Sequence, residues 1–346
     1  MAAITTSNPA DFANRIQTYF NPKLLEALDF ELVLASYGQR KAYPATGTSI
    51  RFFRPRAANT TGVGAIAEGV TPTTLTEVAV GHVDVSLSQR GALATVTDLV
   101  QAIDLLNTVQ LYVSTMGSDA ALDLDTVIRN AIRTGLHNTD ATYGANYFER
   151  FAGVTNTADS DADFATMHAL SAANAKMTRA RHLACVTQLR AARVPMIGGK
   201  YVAVTPPAVI HDIRQDTDWV NAATQVNNQA LYKRGVIQLD GCVFVEHDNP
   251  FREEATYGTH SATGSNFTTF YLGRDAFGCP ELSNKKAGGS PMGPRMTVLA
   301  NADKGDPLNL KTFIGWKCFY GAAPFITNVS GEVPHYLQFR CKSTFA

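Results

Sequence analysis

Residues 97–136, TDLVQAIDLLNTVQLYVSTMGSDAALDLDTVIRNAIRTGL, constrain the fold of this chain more than any other stretch. Apolar residues recur at Leu99, Ile103, Leu106, Val109, Val113, Met116, Ala120, Leu124, Val127, Ile128 and Ala131. Steps of three and four predict one helix with one buried stripe. Asp98 is placed to cap it, Gln101 holds the reciprocal capping-box position, and Gly135 stands where a helix would stop. A continuous helix of this length would run roughly 58 Å at about 1.5 Å per residue, far beyond an ordinary helix of about three turns. Gly117-Ser118 is its one internal weak point, where a kink is expected. The stripe is too broad and irregular for a coiled-coil seam. The helix is therefore read as a spine against which a sheet packs.

Composition narrows what is built on that spine. A chain of 346 residues can bury two cores. Only 17% of the residues are charged, and Lys+Arg equals Asp+Glu at 30 each, whereas about 25% is typical. A surface poor in charge with no net charge suits a chain largely covered by other chains. It argues against a dedicated nucleic-acid binder, which would carry a basic stripe. No apolar run approaches the length of about 20 residues needed to cross a membrane. The N-terminus, MAAITTSNPADFANR, lacks the basic-then-apolar pattern of a signal peptide. Cys185, Cys242, Cys279, Cys318 and Cys341 are odd in number, scattered, and without a CxxC pair. They read as buried reduced thiols of a cytoplasmic protein, not as zinc or redox motifs. The acceptor sites at Asn59, Asn266 and Asn328 have no meaning without secretion.

Residues 1–47 hold short helical patches, such as PKLLEALDFELVLA, and read as an arm lying on something else. Two strand runs follow, TSIRFFRPR and EVAVGHVDVSLSQRGALATVT, joined by a Gly/Thr-rich tip. In the second run Val78 and Val80 share one phase, and Val83, Val85 and Leu87 the other, which predicts a β-bulge at Gly81-His82. An isolated two-stranded ribbon is marginal in water. With no third strand nearby, this one is expected to pack on a neighbouring subunit. Residues 138–162 read as a polar linker, and a helical pattern runs from Asp163 to about Val194. The strand KYVAVTPP comes next, with helices around 209–213 and 219–232. The strand runs GVIQLDGCVFVEHDNP and TTFYLGRDAFG and a β-rich tail complete the chain. Strands and helices without a βαβ rhythm give the α+β class.

Candidate chemistry is sparse. Gly62-Val63-Gly64-Ala65-Ile66-Ala67 fits a loose dinucleotide fingerprint, but Glu68, Gly69 and Pro72 leave no room for the helix that mechanism needs. Asp159, Asp161 and Asp163 have the 1-3-5 spacing of a calcium loop, yet Phe164 replaces its glycine and Leu170 its glutamate. A turn with Asp163 capping the next helix is the simpler reading. His211-Asp212 and His247-Asp248 are adjacent pairs that do not face one another. Cys279 lies in a turn with no basic neighbour to activate it. HExxH, GxSxG and GxxxxGK[ST] are all missing from the sequence. No catalytic, metal or cofactor site is expected. Arg51, Arg54 and Arg56 on the first ribbon strand, with Glu68 and Glu77 across the loop, are the candidate site. Arginine forks paired to carboxylates of adjacent subunits would set register and orientation.

Blocks spread along most of the chain carry a resemblance. TYFNPKLLEA, Tyr37-Gly38 with AYPATGTSI behind it, AEGVTP, SQRGALATVTD, GVIQLDGCVFVEHDNP, YLGRDAFG and DPLNLKTFIGWKCFYGAAP resemble, in order, the major capsid protein family of the large podophages. The resemblance implies the tailed-phage major capsid fold, shared with bacterial encapsulins and herpesvirus capsid floors. Its expected parts are an N-terminal arm (1–47), an E-loop ribbon (48–97), and a peripheral domain (97–194) with the spine helix (97–136). An axial domain (195–290) and a return to the peripheral domain (291–346) follow. The implied function is self-assembly into pentamers and hexamers of an icosahedral virion shell enclosing genomic DNA. Expected partners are scaffolding, portal and decoration proteins, with no membrane and at most weak DNA contact. Assembly is expected in the bacterial host cytoplasm. Some relatives lock their shells with an isopeptide bond from an E-loop lysine. No lysine lies between Lys41 and Lys176, so a non-covalent shell is expected. An encapsulin-like nanocompartment is the alternative, and an enzyme with an unrecognised site a third reading.

Overall fold

The spine is present as α1 (Thr108–Gly135) in the computed structural model, which runs uninterrupted through Gly117-Ser118. The structure describes residues 32–44, 47–55, 68–69, 80–98, 108–135, 148–154, 160–217, 237–247, 256–257, 260–261, 266–282, 292–299, 310–325 and 333–345. The predicted first turns of the helix, 99–107, and the N-terminal arm to residue 31 lie outside them. So do the predicted helix at 219–232 and the fingerprint at 62–67.

A 3-10 turn (Leu34–Tyr37) leads into β1 (Gln39–Lys41), β2 (Ser49–Pro55), β3 (Val80–Ser86) and β4 (Ser88–Thr97), ahead of α1. After the spine come β5 (Glu149–Phe151), α2 (Ser160–Ala169), α3 (Arg179–Ala191), β6 (Tyr201–Thr205) and α4 (Pro207–Arg214). Then follow β7 (Ile237–Leu239), β8 (Cys242–Glu246), β9 (Thr256–Tyr257), β10 (His260–Ser261), β11 (Asn266–Leu272) and β12 (Phe277–Pro280). The chain closes with β13 (Arg295–Leu299), β14 (Lys311–Tyr320), β15 (Ala323–Pro324) and β16 (Tyr336–Lys342). Helices and strands in separate sheets make this an α+β protein.

The predicted stripe is the buried face of α1. Val113, Met116, Ala120, Ala121, Leu124, Ile128 and Ile132 share one core with Val96 of β4 and Ile314, Trp316, Cys318 and Tyr320 of β14. β14 alternates strictly, apolar residues inward and Lys311 and Lys317 outward, as a sheet with one covered face requires. Its sheet has the order β13-β14-β4. A six-stranded sheet, β5-β16-β11-β6-β8-β7, forms the other half of the molecule. Val202, Val204, Phe270, Leu272 and Tyr336 turn one of its faces toward the α1 core. Tyr201, Ala203, Tyr271, Leu337, Phe339 and Cys341 turn the other toward α2, α3 and α4. Coverage on both faces explains why YVAVT reads as an unbroken apolar run.

Polar ties, among them one between Arg90 of β4 and Asp123 at 3.1 Å, also fix α1 to the rest. Midway along it, buried Asp125 accepts the Leu34 N–H at Oδ1 (3.1 Å) and lies 2.5 Å from His247 Nε2 at Oδ2. At its C-terminal end, where helix carbonyls lack intrahelical partners, Gln338 Nε2 donates to the carbonyls of Ile132 (2.7 Å) and Arg133 (3.1 Å). Tyr336 Oη donates to Ile132 as well (3.2 Å). Beside them Arg340 Nε donates to Glu149 Oε1 at 2.7 Å, both side chains being buried, and Arg340 Nη2 donates to Gln338 Oε1 at 2.9 Å.

Several expectations change. Gly81-His82 forms no bulge: β2 and β3 pair one to one from Ser49↔Ser86 to Pro55↔Val80, with Gly81 inward and Val80 outward. The second ribbon run divides at Leu87, since β4 leaves the ribbon and pairs with β14 along its whole length. The ribbon itself stays two-stranded, β2 with β3. The segment 291–346 also divides, β13 and β14 flanking α1 while β16 crosses into the six-stranded sheet. GVIQLDGCVFVEHDNP is a hairpin: Asp240 (φ 48) and Gly241 (φ 82) make the two-residue turn between β7 and β8. The helical pattern from Asp163 becomes α2 and α3, and Asp163 lies buried inside the first turn of α2 instead of capping it. Thr178 caps α3, its side chain accepting the Arg181 N–H.

Two predictions follow from these contacts. Arg340→Met leaves Glu149 as an uncompensated buried charge and should lower stability by about 3–5 kcal/mol. Adding Glu149→Leu should recover much of the loss in urea denaturation of the unassembled subunit. The second concerns acid. Buried His182 donates from Nε2 to the Leu239 carbonyl (3.4 Å) and accepts at Nδ1 from Tyr271 (3.0 Å), and burial pushes its pKa down to about 4. Against the unfolded value of about 6.5 this corresponds to about 3 kcal/mol. The unfolded chain takes up this proton first as pH falls. Stability is thus fully present above 6.5 and lost between 6.5 and 4. The urea midpoint should fall across that window, and His182→Phe should flatten the fall.

Candidate assembly interface

The ribbon is rooted in its own chain. β2 alternates Ile50, Phe52 and Arg54 inward with Ser49, Arg51, Phe53 and Pro55 outward. Ile50, Phe52, Val85, Leu87 and Phe325 form a small core, edged by Tyr43, Val83, Met292, Phe319 and Ala323. The expectation of a ribbon with no core of its own is corrected at this end. Two glycines allow the close approach. A Cβ on Gly278 would stand 2.7 Å from the Phe52 ring, and one on Gly321 would stand 2.1 Å from the Ser86 carbonyl oxygen.

The candidate site residues separate. Arg54 is 2% exposed, its guanidinium lying 5.1 Å from the Phe325 ring centroid and its Nη2 donating to the Val333 carbonyl at 3.2 Å. It anchors the root. Arg51 lies on the outward face, directly opposite Asp84, and grips it with a two-pronged fork: Nε to Oδ1 and Nη2 to Oδ2, each 2.7 Å. The bond raises the guanidinium pKa and lowers that of Asp84. The pair is exposed, so it orients more than it stabilises. Glu68 is exposed on a turn with Gly69 (φ 78). Arg56 and Glu77 lie outside the described residues. The structure therefore brings Arg51 to a carboxylate of its own chain, and Arg54 into the interior.

The root's outer face carries apolar surface. Phe53 is 52% exposed and Val80 54%. Lys41 donates from Nζ to the Arg51 carbonyl (2.9 Å) and lies 5.6 Å from the Phe53 ring centroid.

Sequence reading missed a second surface, the face of the β13-β14-β4 sheet turned away from α1. Arg295 stands directly opposite Lys317, and both are exposed. Lys311 lies six residues along β14 on the same face, with Phe313 and Gly315 between. On β4, Leu93 is 68% exposed and lies over Gly315. None of the three strands contains an acidic residue. The signal was present in the even spacing of Lys311 and Lys317, but only the strand pairing reveals Arg295 beside them.

The remaining candidates have structural explanations. His247 contacts Asp125, and Asp248 lies outside the described residues. Asp212 accepts the Thr344 N–H (3.1 Å) and the Thr344 hydroxyl, while His211 meets the Phe345 ring. The five cysteines are free and buried. Burial pushes the Cys185 thiol up to about 12 and Cys279 up to about 11. Among the described residues, no group of His, Cys, Asp and Glu is arranged to hold a metal, and no helix is long and apolar enough to cross a membrane.

Comparison with known proteins agrees with this architecture. The capsid of Ralstonia phage GP4 superimposes with a TM-score of 0.63 at 15% identity, covering 89% of this chain and 87% of that one. The cyanophage Pam1 capsid gives 0.61 at 16% identity, covering 88% of each chain. A Mycobacterium phage Che8 chain gives 0.53 at 16%, covering 89% and 91%. These likenesses show a shared fold, that of phage capsids. No curated protein sequence matches. A family described as phage capsid protein matches residues 82–328, well over half of the chain, from within β3 through α1 to just beyond β15. The chain belongs to that phage capsid protein family, and its role is structural, in the virion shell.

Proposed function

We propose that copies of this chain associate into pentamers and hexamers that close an icosahedral shell around the DNA genome, each ribbon lying over a neighbouring subunit. The observation that carries the reading is the ribbon's division into two parts. Its root is buried in its own chain, while Phe53 and Val80 are left half-exposed where it departs. Residues 56–79, 24 in all, join β2 to β3 in the sequence. Out and back, such a segment spans up to roughly 40 Å, enough to cross a neighbour. Obligate interfaces of this kind bury about 2,000–5,000 Å² or more, which suits a chain with 17% charged residues and no net charge. Assembly in the host cytoplasm with separate scaffolding and portal proteins, and reinforcement by decoration proteins, complete the proposal. The family match favours a phage shell over the nanocompartment alternative.

Electron microscopy and sedimentation of the purified chain, alone and with a candidate scaffold, should show closed shells or uniform capsomers. Deleting residues 59–74 should reduce them at least tenfold. A monomer under both conditions, even when concentrated, would overturn the reading. With no lysine between Lys41 and Lys176, mature shells dissolved in SDS should run as single subunits. A ladder of covalent oligomers would contradict a non-covalent shell.

A further inference from the structure

A chain of zero net charge can still concentrate its cations in one place. Between Asp163 and Asp212 the sequence holds no acidic residue, while Lys176, Arg179, Arg181, Arg190, Arg193 and Lys200 are all basic. The fold brings much of this segment to α3 and the turn between β7 and β8. Arg190 Nη2 donates to the Asp240 carbonyl at 2.9 Å, and Lys200 Nζ donates to Gln238 Oε1 at 2.7 Å. From β5, Arg150 Nε donates to Gln188 Oε1 at 2.5 Å. These three cations are steered by neutral acceptors, which orient a charge without cancelling it. Two carboxylates nearby converge on a different residue: Asp240 lies 3.6 Å from Arg179 Nε, and Asp216 accepts the Arg179 N–H at 2.7 Å.

Two backbone features support a built cationic face. A Cβ on Gly241 would stand 2.4 Å from Arg190 Nη2, so the turn glycine makes room for that guanidinium. Arg193, exposed and at φ 56, occupies the left-handed position after α3 where glycine is usual. The groove beside α3 is lined by alanines, Thr187, Gln188, Arg150 and one large apolar side chain, Leu183. A protein interface is organised around a cluster of buried apolar anchors, which this lining does not offer. Cations, a hydroxyl, an amide and a floor of small residues suit a phosphodiester backbone instead. Arg179 and Arg190 stand on one side of α3, about 16 Å apart at about 1.5 Å per residue. That distance matches about five phosphates along one DNA strand. We infer that this α3 face looks into the shell and holds the phosphate backbone of the enclosed DNA, without sequence preference, through Arg150, Arg190, Arg193 and Lys200. The inference rests on the shell reading and names the face of the subunit that meets the genome.

The test uses the full chain and a short random-sequence DNA duplex. The double variant Arg193→Gly/Lys200→Gln removes two cations, and glycine is at home at φ 56. It should form shells as wild type does, yet bind the duplex at least tenfold more weakly at low salt. Its plot of log K against log salt should be shallower by about 1.8. Arg193→Lys/Lys200→Arg should keep the wild-type slope. Formaldehyde treatment of DNA-filled particles should give a Lys200–DNA adduct by mass spectrometry, absent from emptied ones. Unchanged affinity and slope in the double variant would overturn the inference and leave the shell reading standing. So would the lack of a Lys200 adduct in filled particles, which would place the face outside. Polyglutamate bound as tightly as the duplex at equal salt would assign the face to an acidic protein and also overturn it. A wild-type chain that binds DNA but forms no shells would overturn the shell reading, and with it the inward orientation.

Discussion

A carboxylate at the middle of a buried helix face is costly unless it is met by donors. Asp125 satisfies that condition by recruiting two segments distant in sequence, the Leu34 N–H and the His247 imidazole. The arm, the spine and the end of β8 are thereby required to meet at one point. Apolar burial alone would hold α1 against β14 but would tolerate sliding along its length, because the stripe is continuous. The Asp125 contacts set the axial position. Gln338, Tyr336 and the Arg340–Glu149 pair set it again at the helix end. The two sheets therefore keep a fixed relation to one another across a helix that touches both.

That fixed relation gives the ribbon its direction. Phe52 closes on Gly278, Gly321 lies against Ser86, and Arg54 packs on Phe325. The two glycines and Phe325 belong to segments near β12 and β15, which pair with each other. An apolar core of five residues would be weak in isolation. Here it is continuous with strands that the main core already holds in place. A ribbon aimed by a rigid root can offer the same contact from every copy, which repeated assembly requires.

The parts of this design that were legible in the sequence are the local ones. Periodicity placed α1 and its buried face, and alternation placed the strands of the ribbon. The scattered cysteines read correctly as buried free thiols. Pairing partners were not legible, because they join residues far apart: β4 with β14, β16 with β11, Asp125 with His247. The apparent bulge at Gly81-His82 had a simple cause. Val80 is apolar and faces outward, while Gly81 faces inward without a side chain to announce it. Asp240-Gly241 did carry a local signal, the two-residue hairpin turn, inside what read as a single strand run.

The candidate site shows the same boundary between local and distant information. Arg51, Arg54 and Arg56 look equivalent in the sequence, yet unbroken alternation sends Arg51 and Arg54 to opposite environments: positions 51 and 54 differ by three, an odd number, so one faces solvent and the other the interior. The inward cation needed an aromatic face and a carbonyl, and the fold supplies Phe325 and Val333. The outward one needed a carboxylate, and the strand register supplies Asp84. Once both are satisfied within the subunit, the balance of the ribbon's remaining charge shifts toward its carboxylates. A chain with 30 acidic and 30 basic residues must then hold the complementary excess elsewhere on its surface. The β13-β14-β4 face, with cations on two of its strands and acids on none, is such a place.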